Sequence, residues 1–305
     1  MTSTATFSER IEALRQSIRE ADHIIIGAGS GLSTAAGIDY AGEDFRREFA
    51  PWIERYGITD LYSSSFYPFE SEEERWAYWA KHIWFSRYRT GATELYKELH
   101  RTFPTAFVVT TNVDGQFELA GFPKERIFAT QGDYCWFQPA SGTPKTLVDN
   151  REWVMNVLPL IEYPLTHSHN NALTHSKIRI PTEMIPTMPD GSPVAMNLRV
   201  DETFVEDFHW HQQARRYTDF VQQASQGNLL LLEFGIGYNT PGIIRLPFEQ
   251  MAQRFPHTTL VRFNRDNPEP YIQDLPRFTA FTEDIAAILS QLTPASLTNL
   301  NTVVQ

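Results

Sequence analysis

The stretch Ile24-Ile25-Ile26-Gly27-Ala28-Gly29-Ser30-Gly31 decides the fold. Three β-branched residues in succession favour an extended backbone, and no polar position interrupts them. A strand that shows no alternation is one covered on both faces. It runs straight into glycines at 27, 29 and 31, then into Leu32-Ser33-Thr34-Ala35-Ala36-Gly37-Ile38, where small side chains allow close approach. A buried strand turning through glycines into a helix opens a Rossmann-like α/β domain. The spacing G-x-G-x-x-G fails, because Leu32 stands at the third glycine position. By itself the turn therefore reads equally as a phosphate cradle or as a structural strand-to-helix connection.

Working outward, Thr6 and Glu9 form a capping-box pattern ahead of Ile11, Leu14 and Ile18, which predicts a helix before the strand. Further short apolar runs lie at Ala106–Thr110, Ile127–Ala129, Leu229–Phe234 and Thr259–Phe263, and Ile285–Leu292 reads as a closing helix. Apolar runs separated by helical stretches predict a parallel sheet with helices on both faces. Two segments break the rhythm. Residues 43–101 are rich in aromatic and charged residues and predict a helical insertion; residues 133–207 carry many prolines, which forbid long helices. The expected organisation is one catalytic domain over 1–305. Its Rossmann-like lobe takes roughly 1–42, 102–132 and 208–295, and the insertions 43–101 and 133–207 form a second small lobe.

The composition narrows the function classes. A formal charge of −11 argues against nonspecific nucleic-acid binding, which needs clustered Lys and Arg. The single cysteine, Cys135, excludes an intramolecular disulfide and a cysteine-based structural zinc site. The amino-terminal stretch has no apolar core of a signal peptide, and no run reaches the length needed to cross a bilayer, so the expectation is a cytoplasmic chain with no membrane partner.

The chemistry gathers where the predicted strands end. Thr110-Thr111-Asn112-Val113-Asp114-Gly115 follows one strand; Asn112 offers a donor and an acceptor, and Asp114 an anion. An Asx turn leading into a helix is the competing reading of the same residues. Thr130-Gln131-Gly132-Asp133 ends a second strand, Gly235-Ile236-Gly237-Tyr238-Asn239-Thr240-Pro241 a third, and Asn264 a fourth. Ligands of open α/β sheets bind at that edge.

Taken together, GAG with STAAGI, TTNVDGQFELAG, TQGD, GIGYNTP and RFN resemble the successive motifs of the sirtuin family, in order from Ile24 to Asn264. The resemblance implies the sirtuin fold and NAD as cofactor. It implies phosphates on the turn Gly27-Ala28-Gly29, nicotinamide near Asn112 and Asp114, and adenosine near Gly235, Gly237 and Asn264, with Asn239 a further cofactor contact. Ser33, Gly37, Asp39, Tyr40, Phe45 and Gln131 join the implied cofactor contacts. Phe45 keeps two readings: a cover over nicotinamide, as part of a family segment, or the start of a helix.

The departures from the family are specific. Gln131 stands where deacylating sirtuins carry a histidine base, Phe117 replaces a second histidine, and the glycine loop is two residues longer. A glutamine amide orients but takes no proton near neutral pH. With QGDY, IPTEMIPTMP, AMNLRVDETFVED and FGIGYNTPGII, these features resemble the class M, macrodomain-linked sirtuins. That class implies a protein ADP-ribosyltransferase acting on a lipoylated carrier related to the glycine cleavage H protein, with a macrodomain hydrolase as functional partner. Asn112, Asp114 and Gln131 are then the catalytic candidates: Asn112 and Asp114 orient and stabilise the ribosyl group as nicotinamide leaves, and an acceptor on the partner attacks directly. A carboxylate acceptor would need no base. The rival readings are an NAD glycohydrolase, a lysine deacylase (disfavoured by Gln131) and a non-catalytic NAD-binding sensor.

No metal is expected. Where related sequences carry four zinc-binding cysteines this chain has Pro139, Thr143, Met188 and Gly191. His167, His169, His175, His209 and His211 read as loop or surface residues, because a structural zinc needs four ordered ligands. Trp76, Trp79 and Trp84 read as core of the second lobe, and Cys135 as a buried small apolar residue.

Overall fold

The computed structural model describes residues 5–163, 178–238 and 240–292; Asn239 and the histidines 167, 169 and 175 lie outside them. The chain divides into two compact units. The first is built from the residues up to Gly37, Gly91–Gln131 and those from Phe208 on; the second from Ile38–Thr90 and Gly132–Asp207.

Nine strands run in chain order: β1 (His23–Ala28), β2 (Phe107–Thr110), β3 (Ile127–Ala129), β4 (Gly132–Pro139), β5 (Val148–Asp149), β6 (Val194–Leu198), β7 (Leu229–Phe234), β8 (Thr258–Phe263) and β9 (Phe278–Phe281). Six of them form the sheet of the first unit in the order β3-β2-β1-β7-β8-β9, all neighbours parallel. Its apolar runs are continuous because successive side chains enter two different cores. Ile26, Val108, Leu230 and Leu232 pack on one face, Ile25, Phe107, Val109 and Leu231 on the other. The helix Phe7–Glu20 starts on the capping box at Thr6 and Glu9 and buries Ile11 and Leu14 in the first of these cores.

The sixth strand, β9, is absent from the sequence expectation. Its four residues are mostly half-buried at the margin of the sheet and give little apolar signal. The boundary of the first unit also differs from expectation. The helix Glu94–Thr102 belongs to it, because Leu95, Tyr96 and Leu99 enter its core.

In the second unit β4 lies between β5 and β6 in an antiparallel sheet. The prolines do hold helices short between 133 and 207, where Arg151–Val157 is the longest among the described residues. They do not prevent a sheet: Pro139 sits at the last position of β4, where its missing N–H costs little. The aromatic insertion forms the helices Glu43–Glu48, Ala50–Tyr56, Leu61–Ser64 and Glu72–Ile83, continued by a π-helical turn at Trp84–Tyr88. Trp76 and Trp79 are buried there, with Trp76 edge-on to Phe137 and Trp153, whereas Trp84 is half-buried. No helix among the described residues is long and apolar enough to cross a membrane.

Candidate active site at the carboxyl ends of the parallel strands

The sheet of the first unit ends level. Ala129 pairs with Thr110, Thr110 with Ala28, Ala28 with Phe234, Phe234 with Phe263 and Phe263 with Phe281. Each of these is the last residue of its strand, so the residues that follow line one row. The row is stitched one bond further: Thr130 N–H donates to Thr110 O, Thr111 to Ala28 O, Gly29 to Phe234 O, Gly235 to Phe263 O and Asn264 to Phe281 O. Beneath it the rings of Phe234, Phe263 and Phe281 stack at centroid distances of 4.4 and 5.3 Å. Strand order reverses between β1 and β7, which is where an open α/β sheet takes its ligand.

The two glycine loops meet at that reversal. A Cβ on Gly235, whose φ is +59°, would fall 2.5 Å from the backbone of Gly31 and Leu32, and one on Gly31 2.7 Å from Gly235 Cα. The glycines are therefore needed for loop to pass loop. Gly29 and Gly31 give their N–H groups to Phe234 O and Gly235 O, so these donors are spent inside the protein. Gly27 faces Ile244 and Phe248, with no room for a Cβ, and Ala28 is the buried last residue of β1. Gly237 is different: it is exposed, with open space around its Cα. Gly37, at φ +80°, ends the helical segment that follows the glycine turn.

Asn112, Asp114 and Ser33 come together with a fourth residue that the sequence reading omitted, Tyr96. Asn112 Nδ2 donates to Gly29 O at 2.9 Å, and lies 3.2 Å from Ser33 Oγ and 3.1 Å from Tyr96 Oη. Ser33 Oγ donates to Asp114 Oδ2 at 2.7 Å, and Tyr96 Oη lies 2.9 Å from Ser33 Oγ. Asp114 Oδ1 accepts from Gln116 N–H, so the Asx turn is present as well. Asp114 is 1% exposed, Ser33 and Tyr96 are fully buried, and Asn112 keeps 8%. Burial, then the neighbouring Asp114 carboxylate, pushes the Tyr96 phenol well above its ordinary value, so it remains protonated. Tyr96 escaped the sequence reading because it sits on a helix with Leu95 and Leu99 and has the spacing of a core residue.

Gln131 follows β3 and is half-buried, and its side-chain amide makes no hydrogen bond among the described residues. Neighbouring Thr130 is fixed by its N–H and hydroxyl to Thr110 O. Asn264, in contrast, is fully engaged. Its Nδ2 donates to Ile236 O, and its Oδ1 accepts from the N–H groups of Asp266 and Asn267. It pins two loops together. Phe117 is buried between Tyr96 and Phe122.

The remaining candidates lie in the second unit. Asp39 is exposed and caps its own turn through Ala41 N–H, and Tyr40 O accepts from Leu61 N–H. Phe45 is inside the helix Glu43–Glu48 and 1% exposed, stacked on Phe49. Cys135 is buried, and burial followed by nearby Asp133 pushes its thiol far up, which leaves no thiolate for nucleophilic work. Of the positions that replace zinc-binding cysteines, Met188 is buried, its N–H reaches Ser192 O and its carbonyl accepts from Gly191 N–H, while Gly142 N–H closes the turn onto Pro139 O. No group of three or more metal-ligating side chains occurs among the described residues.

The fold is that of the Sir2 sirtuins. A Sir2 homologue variant in complex with ADP-ribose superposes with a TM-score of 0.56 at 14% identity, covering 96% of this chain and 99% of that one. A Sir2–p53 peptide–NAD+ structure gives 0.51 at 14% identity, covering 92% and 96%. No protein-family profile matches the chain. Among curated sequences, a protein ADP-ribosyltransferase of Staphylococcus aureus is 29% identical over 287 residues, 93% of this chain and 87% of that protein. A probable bifunctional ADP-ribose hydrolase/ADP-ribosyltransferase of Fusarium oxysporum f. sp. cubense is 30% identical over 250 residues. That alignment takes in 79% of this chain but only 40% of the fungal protein. The chain is thus a sirtuin-like protein whose sequence relatives carry the name of ADP-ribosyltransferases.

Proposed function

We propose that the chain is an NAD-dependent protein ADP-ribosyltransferase whose acceptor is a lipoylated carrier protein. The observation that carries this reading is the amide at position 131. The loop after β3 presents Gln131, a side chain without a hydrogen-bond partner among the described residues and without a proton to give or take near neutral pH. Asp114 does not substitute for a base, because it is 1% exposed and already accepts from Ser33 and from Gln116 N–H. Removal of acyl groups from lysine by the sirtuin route relies on a base; transfer of ADP-ribose to an anionic acceptor does not.

NAD supplies the ADP-ribosyl group and nicotinamide as the leaving group. The fit for it rests on two observations: Asn112 has an amide oxygen that accepts no hydrogen bond, and Gly237 leaves open space at the loop after β7. Asn112 would orient the ribose, Asp114 would hold negative potential beneath it through Ser33, and Gln131 would position ribose or acceptor. Because Gly29 and Gly31 have spent their amides, the glycine turn contributes shape more than hydrogen bonds. Gly37 and Asn264 complete the proposed cofactor contacts within the first unit; Asp39, Tyr40 and Asn239 are proposed on the family resemblance alone, and Phe45, 1% exposed and stacked on Phe49, presents no face to a cofactor. For Asn264 the role is indirect, through the loops it ties.

The staphylococcal relative's name supports protein as the acceptor class, and the fungal relative's name supports a partner hydrolase that removes ADP-ribose. A macrodomain would fill that role. The deciding experiment incubates the protein with NAD, with and without a lipoylated carrier and its unlipoylated form, following nicotinamide release and carrier mass. Gain of one ADP-ribosyl unit on the lipoylated carrier alone is expected. Nicotinamide release at the same rate without carrier would identify a glycohydrolase instead.

A further inference from the structure

We propose that Tyr96 is a positioning residue, whose buried hydroxyl locks the Asn112 amide with its oxygen turned outward to accept from a donor on the substrate. The inference deepens the NAD reading and rests on it, the donor class being a ribose hydroxyl.

Asp114 ends the chain as an acceptor, so the single Ser33 hydroxyl proton goes to Asp114 Oδ2 at 2.7 Å. Ser33 Oγ must then accept from Tyr96 Oη, 2.9 Å away, which consumes the only Tyr96 proton. Tyr96 Oη can now only accept, and Asn112 Nδ2 lies 3.1 Å from it. The same Nδ2 has Gly29 O at 2.9 Å and Ser33 Oγ at 3.2 Å. Gly29 O is a carbonyl and never donates, so a flipped amide would place oxygen against oxygen. Both Asn112 amide protons are thereby committed inward among three acceptors, and Oδ1 accepts nothing from the described residues. Each hydroxyl in the series Asn112, Tyr96, Ser33, Asp114 has one direction available, and the series ends on a carboxylate. Asn112 is the most exposed of the four, at 8% against 1% for Asp114.

The position of Tyr96 is set independently of this network. Its ring is fully buried and stands edge-on to Phe117 at 4.9 Å, on the helix Glu94–Thr102. The aromatic pair holds the hydroxyl at the height of the strand ends. Phe117, standing where a deacylase carries histidine, is thus part of the support of Asn112.

The test is Tyr96→Phe, which keeps the ring and deletes the hydroxyl. Two acceptors, Gly29 O and Ser33 Oγ, then remain for two Asn112 protons, so no buried donor is stranded and folding should persist. The expected kcat for NAD turnover falls about tenfold, the worth of one hydrogen bond. In an Asn112→Ala background the same change should cost less than about twofold. In the free protein the Asn112 carboxamide protons should exchange measurably faster by NMR in the variant than in the wild type. Equal losses in both backgrounds, or unchanged amide exchange, would overturn the proposal. A wild type that does not turn over NAD breaks the functional reading alone, because amide exchange in the free protein reports the Asn112 orientation without substrate.

Discussion

Two buried polar clusters lie at the carboxyl ends of the parallel strands, and they are built on opposite plans. One is the hydroxyl and amide network of Asn112, Tyr96, Ser33 and Asp114. The other is a quartet of charges: Glu233 on β7, Arg262 beside it on β8, and Arg245 and Glu249 on the helix Arg245–Arg254, all with fully buried side chains. Arg262 grips Glu233 with two bonds of 2.8 and 2.9 Å and reaches Glu249 at 2.7 Å. The quartet is neutral as a whole and turns its spare bonds on the chain. Arg245 and Arg262 donate to backbone carbonyls at Asn267 and Glu269, and Glu249 accepts from the N–H groups of Tyr271 and Ile272. Almost everything it owns is spent inward. The Asn112 network carries one charge, and it leaves one acceptor unspent. Strong buried charge here fixes loops, while the network that ends on the single carboxylate of Asp114 leaves the Asn112 oxygen for the proposed chemistry.

Arg262 is the residue on which the charged quartet depends most. Arg262→Met would leave Glu233 and Glu249 without their main partner in a site closed to water. Removing one partner of a buried ion pair costs about 3–5 kcal/mol. Urea or guanidinium unfolding is expected to show a loss in that range. A loss below about 1 kcal/mol would show that the quartet is not what holds the loops after β8.

Asn112→Ala tests the other side. Turnover of NAD should fall at least about 100-fold, in the range found when one oriented polar group of an active site is removed. Unfolding free energy should drop by only about 1 kcal/mol, since acceptors rather than donors are left behind. Full activity in this variant would show that the site lies elsewhere.

Most of the first unit was legible in the sequence, and the two clusters show why legibility stops where it does. Continuous apolar runs such as Leu229–Phe234 announce strands buried on both faces, and the loops after them follow. Asn112 and Asp114 stand out because they break an apolar pattern at a strand end. Tyr96 and Arg245 do not stand out, because each occupies a helical position that an apolar residue could fill. Tyr96 meets Ser33 from 63 positions away, and Arg245 finds its carboxylates only once the strand of Glu233 and its own helix have packed. The glycine turn reads from sequence as either a phosphate cradle or a structural connection, and what separates the two, the loop contact that uses Gly29 and Gly31, depends on Gly235, some two hundred residues on. In the second unit β4 was hidden by its own composition, with Asp133, Gln138 and Pro139 in a strand whose buried positions do not alternate.

A third buried polar group, His82 in the second unit, sharpens the contrast because it belongs to neither plan. Its ring stacks on Trp79 and its Nδ1 lies 3.1 Å from Tyr78 Oη, while Nε2 has no partner. Burial pushes its pKa down to about 3, so the folded chain holds it neutral. Below the ordinary histidine value of about 6.5 the unfolded chain binds a proton that the folded chain refuses. This residue's contribution should therefore lower stability as pH falls from about 6.5 toward 3, at up to about 1.4 kcal/mol per pH unit, and leave it unchanged above. Comparing His82→Phe with wild type by thermal unfolding at pH 5 and pH 7.5 isolates it. A gap between the two proteins that is the same at both pH values would contradict the assignment.

Gln131 gives the smallest structural effect and the sharpest mechanistic one. Its amide has no partner among the described residues, so Gln131→Ala should leave stability within about 0.5 kcal/mol of wild type. Transfer should still weaken by about tenfold, because the group acts only on substrate. Neither Gln131 nor the protonated Tyr96 titrates in the working range, and His82 stays neutral there. The pH profile of wild-type transfer, measured where the protein is fully folded, should accordingly show no essential group near 6.5. Gln131→His would place a base at that position without making an efficient deacylase. Phe117 still fills the place of the second histidine, packed between Tyr96 and Phe122, and its ring supports the network that orients Asn112. Robust release of acetate from acetyl-lysine peptides by the wild type would sink this reading of Gln131, since the missing base would then be shown to be unnecessary.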